Sequence, residues 1–224
     1  MVAIILDTES TGIDAPQLIE AAWVRVPDPN TLVSIESFHQ RYKPSKPIAL
    51  GALATHHIMD EDLIDCPPSA DFRLPGGIEY LIGYSVDYDW RVIGEPPIKR
   101  ICVLALARSL LPGLDSYSQS AVLYHLIRAQ ARELLKGAHS ADADVWNCHI
   151  ILSHLLQKLS SRADRLTWEW IWQRSEEARI PKVMTFGKHK GTAISEIPSD
   201  YKRWLLGQPD VDPYLTKALR GDAA

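Results

Sequence analysis

The sequence is poor in cysteine, in long apolar runs and in net positive charge, and each shortage excludes a class of protein. Three cysteines, at positions 66, 102 and 148, are odd in number and far apart, and no C-x-x-C pair is present. This excludes a disulfide framework and indicates a reducing compartment, the cytoplasm. No apolar run reaches the about 18 residues that a membrane helix needs. The N-terminal residues also lack the pattern of a secretory signal. We therefore expect a cytoplasmic protein with no membrane partner.

The charge is unevenly distributed along the chain. The formal net charge of -4 provides no overall basic footprint for nucleic acid. Residues 1–160 carry 13 Lys+Arg against 19 Asp+Glu, a net charge of -6, whereas residues 161–224 carry 11 against 9, a net charge of +2. Divalent cations can offset local acidity of this kind. The sequence therefore predicts an acidic main body followed by a mildly basic end.

The first half of the chain has the pattern of a strand meander. The apolar run VAIILD predicts a buried strand that ends at Asp7, and segments 17–26 and 33–43 predict two more strands. Short helices follow, then a buried strand at 80–85, and later a long amphipathic helix over 141–159. A meander followed by alternating helices and strands predicts an α/β fold, with a mixed sheet covered by helices.

The polar stretch 160–167 predicts a break in this organisation. We expect a main domain over 1–160, a connecting helix within 161–181 that is capped by Thr167, and a small C-terminal module over 182–224. Three tryptophans of the connecting helix follow at alternate positions, Trp168, Trp170 and Trp172. We expect this helix to pack on the main domain or on a partner chain. An exposed ring among the three would indicate a homodimer.

Two acids with one residue between them, Asp7 and Glu9, follow the first buried run in the stretch ILDTESTG. On a strand they point to the same face, where their repulsion is costly unless a cation lies between them. Carboxylate oxygens are the ligands that Mg²⁺ and Mn²⁺ prefer. The alternative is a solvated strand end with a turn-forming acid. The pair alone therefore gives only a weak prediction of a metal site.

Further acids in the chain fit a two-metal site. Asp89, or Asp87, follows the buried strand at 80–85, and Asp144 lies near the start of the long helix, five residues after His139. A histidine imidazole beside a metal ligand can accept a proton from water near neutral pH. The alternatives are a surface histidine and an acid favoured by the helix dipole. Asp142 competes with Asp144 for the ligand position.

The order of these motifs resembles the DEDDh 3′–5′ exonucleases, the proofreading-type family with an RNase H-like fold. DTESTG matches the first motif of the family, and GAHSADAD matches its H-x4-D motif through His139 and Asp144. GYSVDYDWRVI resembles the middle motif, with Asp89 at the Asp position and Tyr88 at the aromatic position. The resemblance covers about residues 1–160, and the first and third motifs together make it specific.

Two further segments bear on the resemblance. IALGALATHHIMDED is similar to the segment I-x-x-x-A-x-x-x-H-G-I-T of the family, with His56 at its histidine. MTFGKHKGTAISEIPSDYKRWLL is similar to an F-G-K-x-K-G module that follows the nuclease domain in some members. The chain departs from the family at Tyr84 and Ser85, where the middle motif usually has His-Asn.

The resemblance implies an RNase H-like mixed five-stranded sheet flanked by helices, with the small C-terminal module behind it. It also implies a metal-dependent 3′–5′ exodeoxyribonuclease that releases mononucleotides in DNA repair. Two divalent metal ions, Mg²⁺ or Mn²⁺, would bind to four acids, with His139 as the base. The catalytic set is then Asp7, Glu9, Asp89, His139 and Asp144, of which the four acids are the metal ligands.

The same resemblance suggests which residues contact the substrate, DNA with a single- or double-stranded 3′ end. The predicted set is Thr8, Thr11, His56, Lys188 and Lys190. Simple turn chemistry is the alternative for Thr11, and an ordinary solvated turn is the alternative for the two lysines. A 3′ exoribonuclease acting on RNA would use the same acids, and a non-catalytic nucleic-acid-binding module is the third interpretation.

Overall fold

The computed structural model describes residues 2–161 and 165–221. The described strands are β1 (Ala3–Ser10), β2 (Leu18–Val26), β3 (Glu36–Arg41), β4 (Tyr80–Gly83) and β5 (Lys99–Cys102). The described α-helices are α1 (Leu50–His56), α2 (Val86–Val92), α3 (Val103–Leu110), α4 (Gln119–Leu134), α5 (Ala141–Ser160), α6 (Trp168–Arg179), α7 (Ser199–Leu206) and α8 (Pro213–Arg220). Short 3-10 turns cover Asp60–Leu63, Ser69–Asp71, Leu135–Gly137 and Ile194–Glu196.

The five strands form one mixed sheet in the order β3-β2-β1-β4-β5. The meander β1-β2-β3 is antiparallel, whereas β4 and β5 run parallel to β1. Helices cover both faces of this sheet, as two separate clusters of buried side chains show. The predicted α/β architecture with a five-stranded mixed sheet is therefore confirmed.

Strand β1 is central, and its residues alternate between the two faces of the sheet. Ala3 and Ile5 join the core that contains the buried face of α5, whereas Ile4 and Leu6 join the core on the side of α2. Successive side chains of a strand point to opposite faces. Asp7 and Glu9 therefore continue the face toward α5, and Thr8 continues the face toward α2.

The prediction that the first strand ends at Asp7 is wrong, because β1 continues to Ser10. Its backbone stays paired with β2, with Asp7 opposite Ala22 and Glu9 opposite Glu20. The register shifts between Glu9 and Ser10. The polarity of the side chains suggested a strand end, but backbone pairing decides where a strand ends. Register shifts such as the one between Glu9 and Ser10 are common beside functional sites.

The connecting helix α6 packs on the main domain. The Thr167 hydroxyl accepts a hydrogen bond from the backbone N–H of Trp170 at 3.2 Å, as expected for a cap. Trp168 is buried in the main core, and Trp170 and Trp172 are partly buried against it. None of the three tryptophan rings is fully exposed. Residues 162–164, part of the predicted connecting segment, lie outside the described residues.

The C-terminal segment has a small apolar core of its own. That core consists of Met184, Ile194, Ile197, Leu205, Leu215 and Leu219. A turn in this segment is closed by an isolated bridge between Val183 and Ala193, and α7 follows it. Helix α8 was not predicted from the sequence. The module boundary at residue 182 stays a prediction, and residues 222–224 lie outside the described part of the chain.

Among the helices that the structure describes, none combines the length and the apolar character that crossing a membrane requires.

Candidate active site

Three carboxylates meet at the end of the central strand. Asp7 and Glu9 come from β1, and Asp144 comes from the first turn of α5. One carboxylate oxygen of each lies within 4.8 Å of the others. All three side chains are partly exposed, so that solvent or a ligand can reach them. The alternation of β1 explains why two of the three share a face.

The surroundings of this carboxylate cluster oppose the charged forms. Burial raises the pKa of Asp7 well above its ordinary value, and repulsion from the neighbouring carboxylates adds to it. Burial and the same repulsion raise the pKa of Glu9 to about 8, and burial raises the pKa of Asp144. A divalent cation among these oxygens would remove the repulsion. Oxygen ligands at this spacing therefore fit a hard cation such as Mg²⁺ or Mn²⁺.

Asp89, from α2, lies beside the cluster but is not one of its three members. It is buried, and one of its oxygens accepts hydrogen bonds from the backbone N–H of Thr8 at 3.0 Å and from the Thr8 hydroxyl at 2.7 Å. Burial raises the pKa of Asp89 to about 7, although the two bonds from Thr8 lower it. Repulsion between Asp89 and Asp7 raises the pKa of Asp7, which indicates that the two carboxylates are electrostatic neighbours.

The structure separates each of the competing acid pairs. Asp87 accepts hydrogen bonds from Arg100 at 2.5 Å and from Arg179 at 3.1 Å. It is therefore neutralised by two guanidinium groups, whereas Asp89 is not. Asp142 is exposed and does not belong to the carboxylate cluster, which instead contains Asp144.

His139 lies in the short link between the 3-10 turn Leu135–Gly137 and α5. It is exposed, and its backbone has a positive φ of 67°. Its backbone N–H donates to Oδ2 of Asp144 at 3.1 Å. A left-handed backbone is uncommon outside glycine, and here it places the histidine directly beside a candidate ligand.

Two residues that the sequence did not single out as ligands support the cluster. Gln119, the first residue of α4, donates from its side chain to the backbone oxygen of Asp144 at 2.8 Å and to its Oδ1 at 3.4 Å. No local sequence pattern predicts this contact, because 25 residues separate Gln119 from Asp144. Gln119 therefore fixes Asp144 from a separate helix.

Glu20 is the second supporting residue. It is buried on β2 and accepts from the N–H of Ala141 at 2.8 Å, from His39 at 3.0 Å and from Arg41 at 3.1 Å. Burial alone would raise the pKa of Glu20, but these hydrogen bonds outweigh it and lower the pKa. Glu20 thus ties the first turn of α5 to the meander, opposite Glu9.

The residues predicted to bind substrate lie in three different settings. Thr8 is buried with its hydroxyl on Asp89, and the Thr11 hydroxyl accepts from the N–H of Gln17 at 3.1 Å, which is turn chemistry. His56 is buried at the end of α1, where its Nδ1 accepts from the N–H of Ile58 at 3.0 Å and burial lowers its pKa. Lys188 and Lys190 are exposed on the turn of the C-terminal module, outside the carboxylate cluster.

The departure from the family motif at positions 84 and 85 has a structural consequence. Tyr84 is buried in the main core, and its hydroxyl donates to the backbone oxygen of Tyr117 at 2.7 Å. Ser85 is exposed ahead of α2. The tyrosine therefore serves packing, and it leaves Asp89 in place on the helix that follows.

The known proteins that are similar to this chain are exonucleases. No protein-family model matches the chain. Exodeoxyribonuclease 10 of Escherichia coli K12 is 29% identical over 228 residues, which is 96% of each protein. A structure of exonuclease X in complex with 5′ overhanging duplex DNA has a TM-score of 0.58 at 28% identity, and covers 77% of this chain and 99% of its own.

A third comparison concerns the fold alone, because its identity is low. The nuclease domain of 3′hExo, a DEDDh family member bound to rAMP, has a TM-score of 0.53 at 15% identity over 70% of this chain and 92% of its own. Together the comparisons confirm the RNase H-like fold and the resemblance to the DEDDh exonucleases. The F-G-K-x-K-G segment predicts a resemblance to exodeoxyribonuclease X, and the first two relatives agree. The prediction of a 3′–5′ exonuclease-type hydrolase is confirmed with it.

Proposed function

We propose that this protein is a metal-dependent 3′–5′ exodeoxyribonuclease that releases mononucleotides from DNA in the cytoplasm, in the service of DNA repair. The observation that carries the proposal is the carboxylate cluster of Asp7, Glu9 and Asp144. The E. coli relative is named an exodeoxyribonuclease, and the similar structure holds duplex DNA. Both facts favour DNA as the substrate of this chain.

Four acids would hold two divalent cations, Mg²⁺ or Mn²⁺. Asp7, Glu9 and Asp144 would bind the one on the side of the attacking water, and Asp89 would join Asp7 on the side of the leaving oxygen. Bound cations of this kind lower the pKa of water and offset the charge that develops on the phosphate. The raised pKa values of Asp7 and Glu9 support this assignment, because a cation stabilises their ionised forms.

The remaining residues of the site position these groups and handle the proton. His139 would accept the proton of the attacking water, since its backbone N–H is bonded to Asp144 and an imidazole can exchange protons near neutral pH. Gln119 and Glu20 would hold the first turn of α5, which carries Asp144. Thr8 would hold Asp89.

The substrate would be DNA with a free 3′ end. Thr11 and His56 lie in segments that resemble those of the family, and Lys188 and Lys190 offer positive charge to the phosphate backbone. Whether RNA is also cleaved depends on how the site receives a 2′-hydroxyl. A homodimer stays a prediction, and analytical ultracentrifugation of the full chain measures it.

The test uses DNA and RNA strands of one sequence, labelled at the 5′ or the 3′ end, with Mg²⁺, with Mn²⁺ or with a chelator. We expect metal-dependent loss of mononucleotides from 3′ ends of DNA. Asp7→Asn and His139→Ala should lower kcat by at least about a thousandfold and a hundredfold, respectively. Unchanged DNA in the presence of metal would overturn the function, and full activity of Asp7→Asn would overturn the site.

A further inference from the structure

The C-terminal module has an exposed surface on which aromatic rings and positive charges alternate. Phe186 and Trp204 expose 48% and 55% of their surface, which is unusual for such large apolar side chains. The mechanism of hydrolysis uses neither residue. Two exposed aromatic rings in one small module indicate a binding surface.

The rings lie close together because the turn rests on α7. The ring centroids of His189 and Tyr201 are 4.5 Å apart, and those of Tyr201 and Trp204 are 5.2 Å apart. Gly187 has a φ of +68°, and a Cβ atom there would lie 3.0 Å from the Tyr201 hydroxyl. The turn and the helix therefore carry three rings in contact, which we call the aromatic row: His189, Tyr201 and Trp204. His189 and Tyr201 are half-buried, Trp204 is exposed, and the exposed Phe186 belongs to the same turn as His189.

The turn that carries part of this surface is held in one shape by backbone hydrogen bonds. Met184 donates to Thr192 and accepts from Gly191, both at 2.9 Å, and its side chain is buried beneath the turn. The backbone N–H of Lys190 donates to the backbone oxygen of Gly187 at 3.2 Å. Such a preformed loop loses little conformational entropy when a ligand binds.

The charge of the same segment is positive, in contrast to the acidic main body. Residues 182–206 carry five Lys+Arg, at positions 182, 188, 190, 202 and 203, against two acids at 196 and 200. Lys188 and Lys190 are exposed, and within the described residues neither forms an ion pair. Unpaired lysines beside exposed rings match a polyanion that also offers flat apolar faces.

We propose that the aromatic row and the lysines of the turn form a second DNA-binding surface, which binds an unpaired strand. In a duplex the bases are already stacked on one another, whereas the bases of a single strand are free to stack on protein rings. The lysines would contact the phosphates between those bases. This inference rests on the proposed function, because its ligand belongs to the same class of substrate. The module would then bind DNA at a surface separate from the carboxylate cluster.

The experiment measures binding without cleavage. The full chain is titrated, in the presence of chelator, into a fluorescein-labelled single strand of about 20 nucleotides, and separately into the blunt duplex of the same sequence, with fluorescence anisotropy as readout. We expect tighter binding of the single strand. Trp204→Leu should weaken that binding about tenfold, whereas Trp204→Phe, which keeps a ring, should retain most of it.

The lysines are tested by the salt dependence of the same titration. Replacing both Lys188 and Lys190 by Gln should reduce the slope of log K against log salt by about 1.4, since each phosphate contact on a single strand contributes about 0.7. Lys158→Gln, an exposed lysine at the end of α5, is the matched control and should leave the slope unchanged. Circular dichroism melts of every variant verify that the module stays folded.

Three results would overturn the proposal. One is equal single-strand affinity of Trp204→Leu and the unmodified chain, and another is an unchanged salt slope in the double lysine variant. The third is a change of oligomeric mass in Trp204→Leu with DNA affinity preserved, which would make the surface a protein interface. Failure of the proposed function has a different signature: binding that depends on Trp204 would persist, but no metal would produce cleavage.

Discussion

The backbone N–H and the hydroxyl of Thr8 both donate to the same oxygen of Asp89, at 3.0 and 2.7 Å. One residue of the first motif thus holds the acid of the middle motif, although 81 positions separate them. Because Thr8 lies between Asp7 and Glu9, a single strand both supplies two acids to the cluster and positions a third acid beside it.

Thr8→Val removes the shorter of these two bonds and keeps the shape of the side chain. Because that bond lowers the pKa of Asp89, which is about 7, its loss should raise this pKa further. The acid limb of the pH–rate profile should therefore move to higher pH. We expect kcat to fall about tenfold, as for the loss of a hydrogen bond to a charged group. Thr8→Ser keeps the hydroxyl and should restore the profile, and a profile of Thr8→Val identical to that of the unmodified chain would contradict the prediction.

Asp87 and Asp89 form a matched pair for mutation. Asp89→Asn should abolish nearly all activity, with a loss of about a thousandfold or more. Asp87→Asn should retain activity, but it should lower the free energy of unfolding by about 1–3 kcal/mol, since Arg179 is almost fully buried and would keep only Glu176 as a charged partner. Steady-state kinetics and urea unfolding of the two variants check this. Comparable losses of activity in both would show that the separation of roles between the two acids is wrong.

Glu20 should contribute to stability more than an exposed acid with a similar partner. Glu20→Gln removes a buried charge that accepts from Ala141, His39 and Arg41, and it should cost about 2 kcal/mol. Glu36→Gln removes an exposed partner of Arg25 and should cost less than about 1 kcal/mol. Urea unfolding curves of the two variants give both values. Equal costs would mean that Glu20 does not tie α5 to the meander.

The stability of the metal-free protein should fall as the pH rises. The pKa of Glu9 is about 8 in the folded chain against 4.5 ordinarily, so between these values the folded state binds more protons than the unfolded state. Stability is then lost as the pH rises toward 8. In chelator we expect the Tm to fall by on the order of 5 °C between pH 5 and pH 8.

Two controls separate this effect from general pH dependence. Adding Mg²⁺ or Mn²⁺ at pH 8 should restore the Tm, because a cation favours the ionised carboxylates. Glu9→Gln in chelator should flatten the decline. A Tm of the metal-free protein that rises steadily up to pH 8 would contradict this prediction. It would mean that the pKa of Glu9 is not raised in the folded chain.

The sequence predicted the parts of the site that rest on local patterns. The alternation of a strand places Asp7 and Glu9 on one face, and the resemblance to the H-x4-D motif favours Asp144 over Asp142. The structure places these residues where the patterns indicated, while their roles stay predictions. The end of β1 was predicted wrongly, because strand pairing with β2 continues past the polar residues to Ser10.

The rest of the site depends on contacts between distant parts of the chain. Gln119 and Asp144 meet only because α4 packs against α5, and a glutamine in a helix start gives no signal of this. Glu20 differs, because the sequence shows a charged residue within the apolar run LIEAAWV. A buried charge requires hydrogen-bonding or ionic partners, so the pattern predicts that such partners exist. The identity of those partners follows only from the sheet register and the position of α5.

The hydrogen bond between Glu20 and the N–H of Ala141 also bears on when the site can form during synthesis of the chain. During synthesis the chain emerges from the N-terminus, and the meander can form long before residue 141 has left the ribosome. Until then the buried carboxylate of Glu20 lacks one of its donors, and Asp144 is absent altogether. A nascent chain therefore holds no complete cation site. All of the acids proposed as ligands are present only after about two thirds of the polypeptide has been made, so that fragments released earlier would lack part of the proposed site.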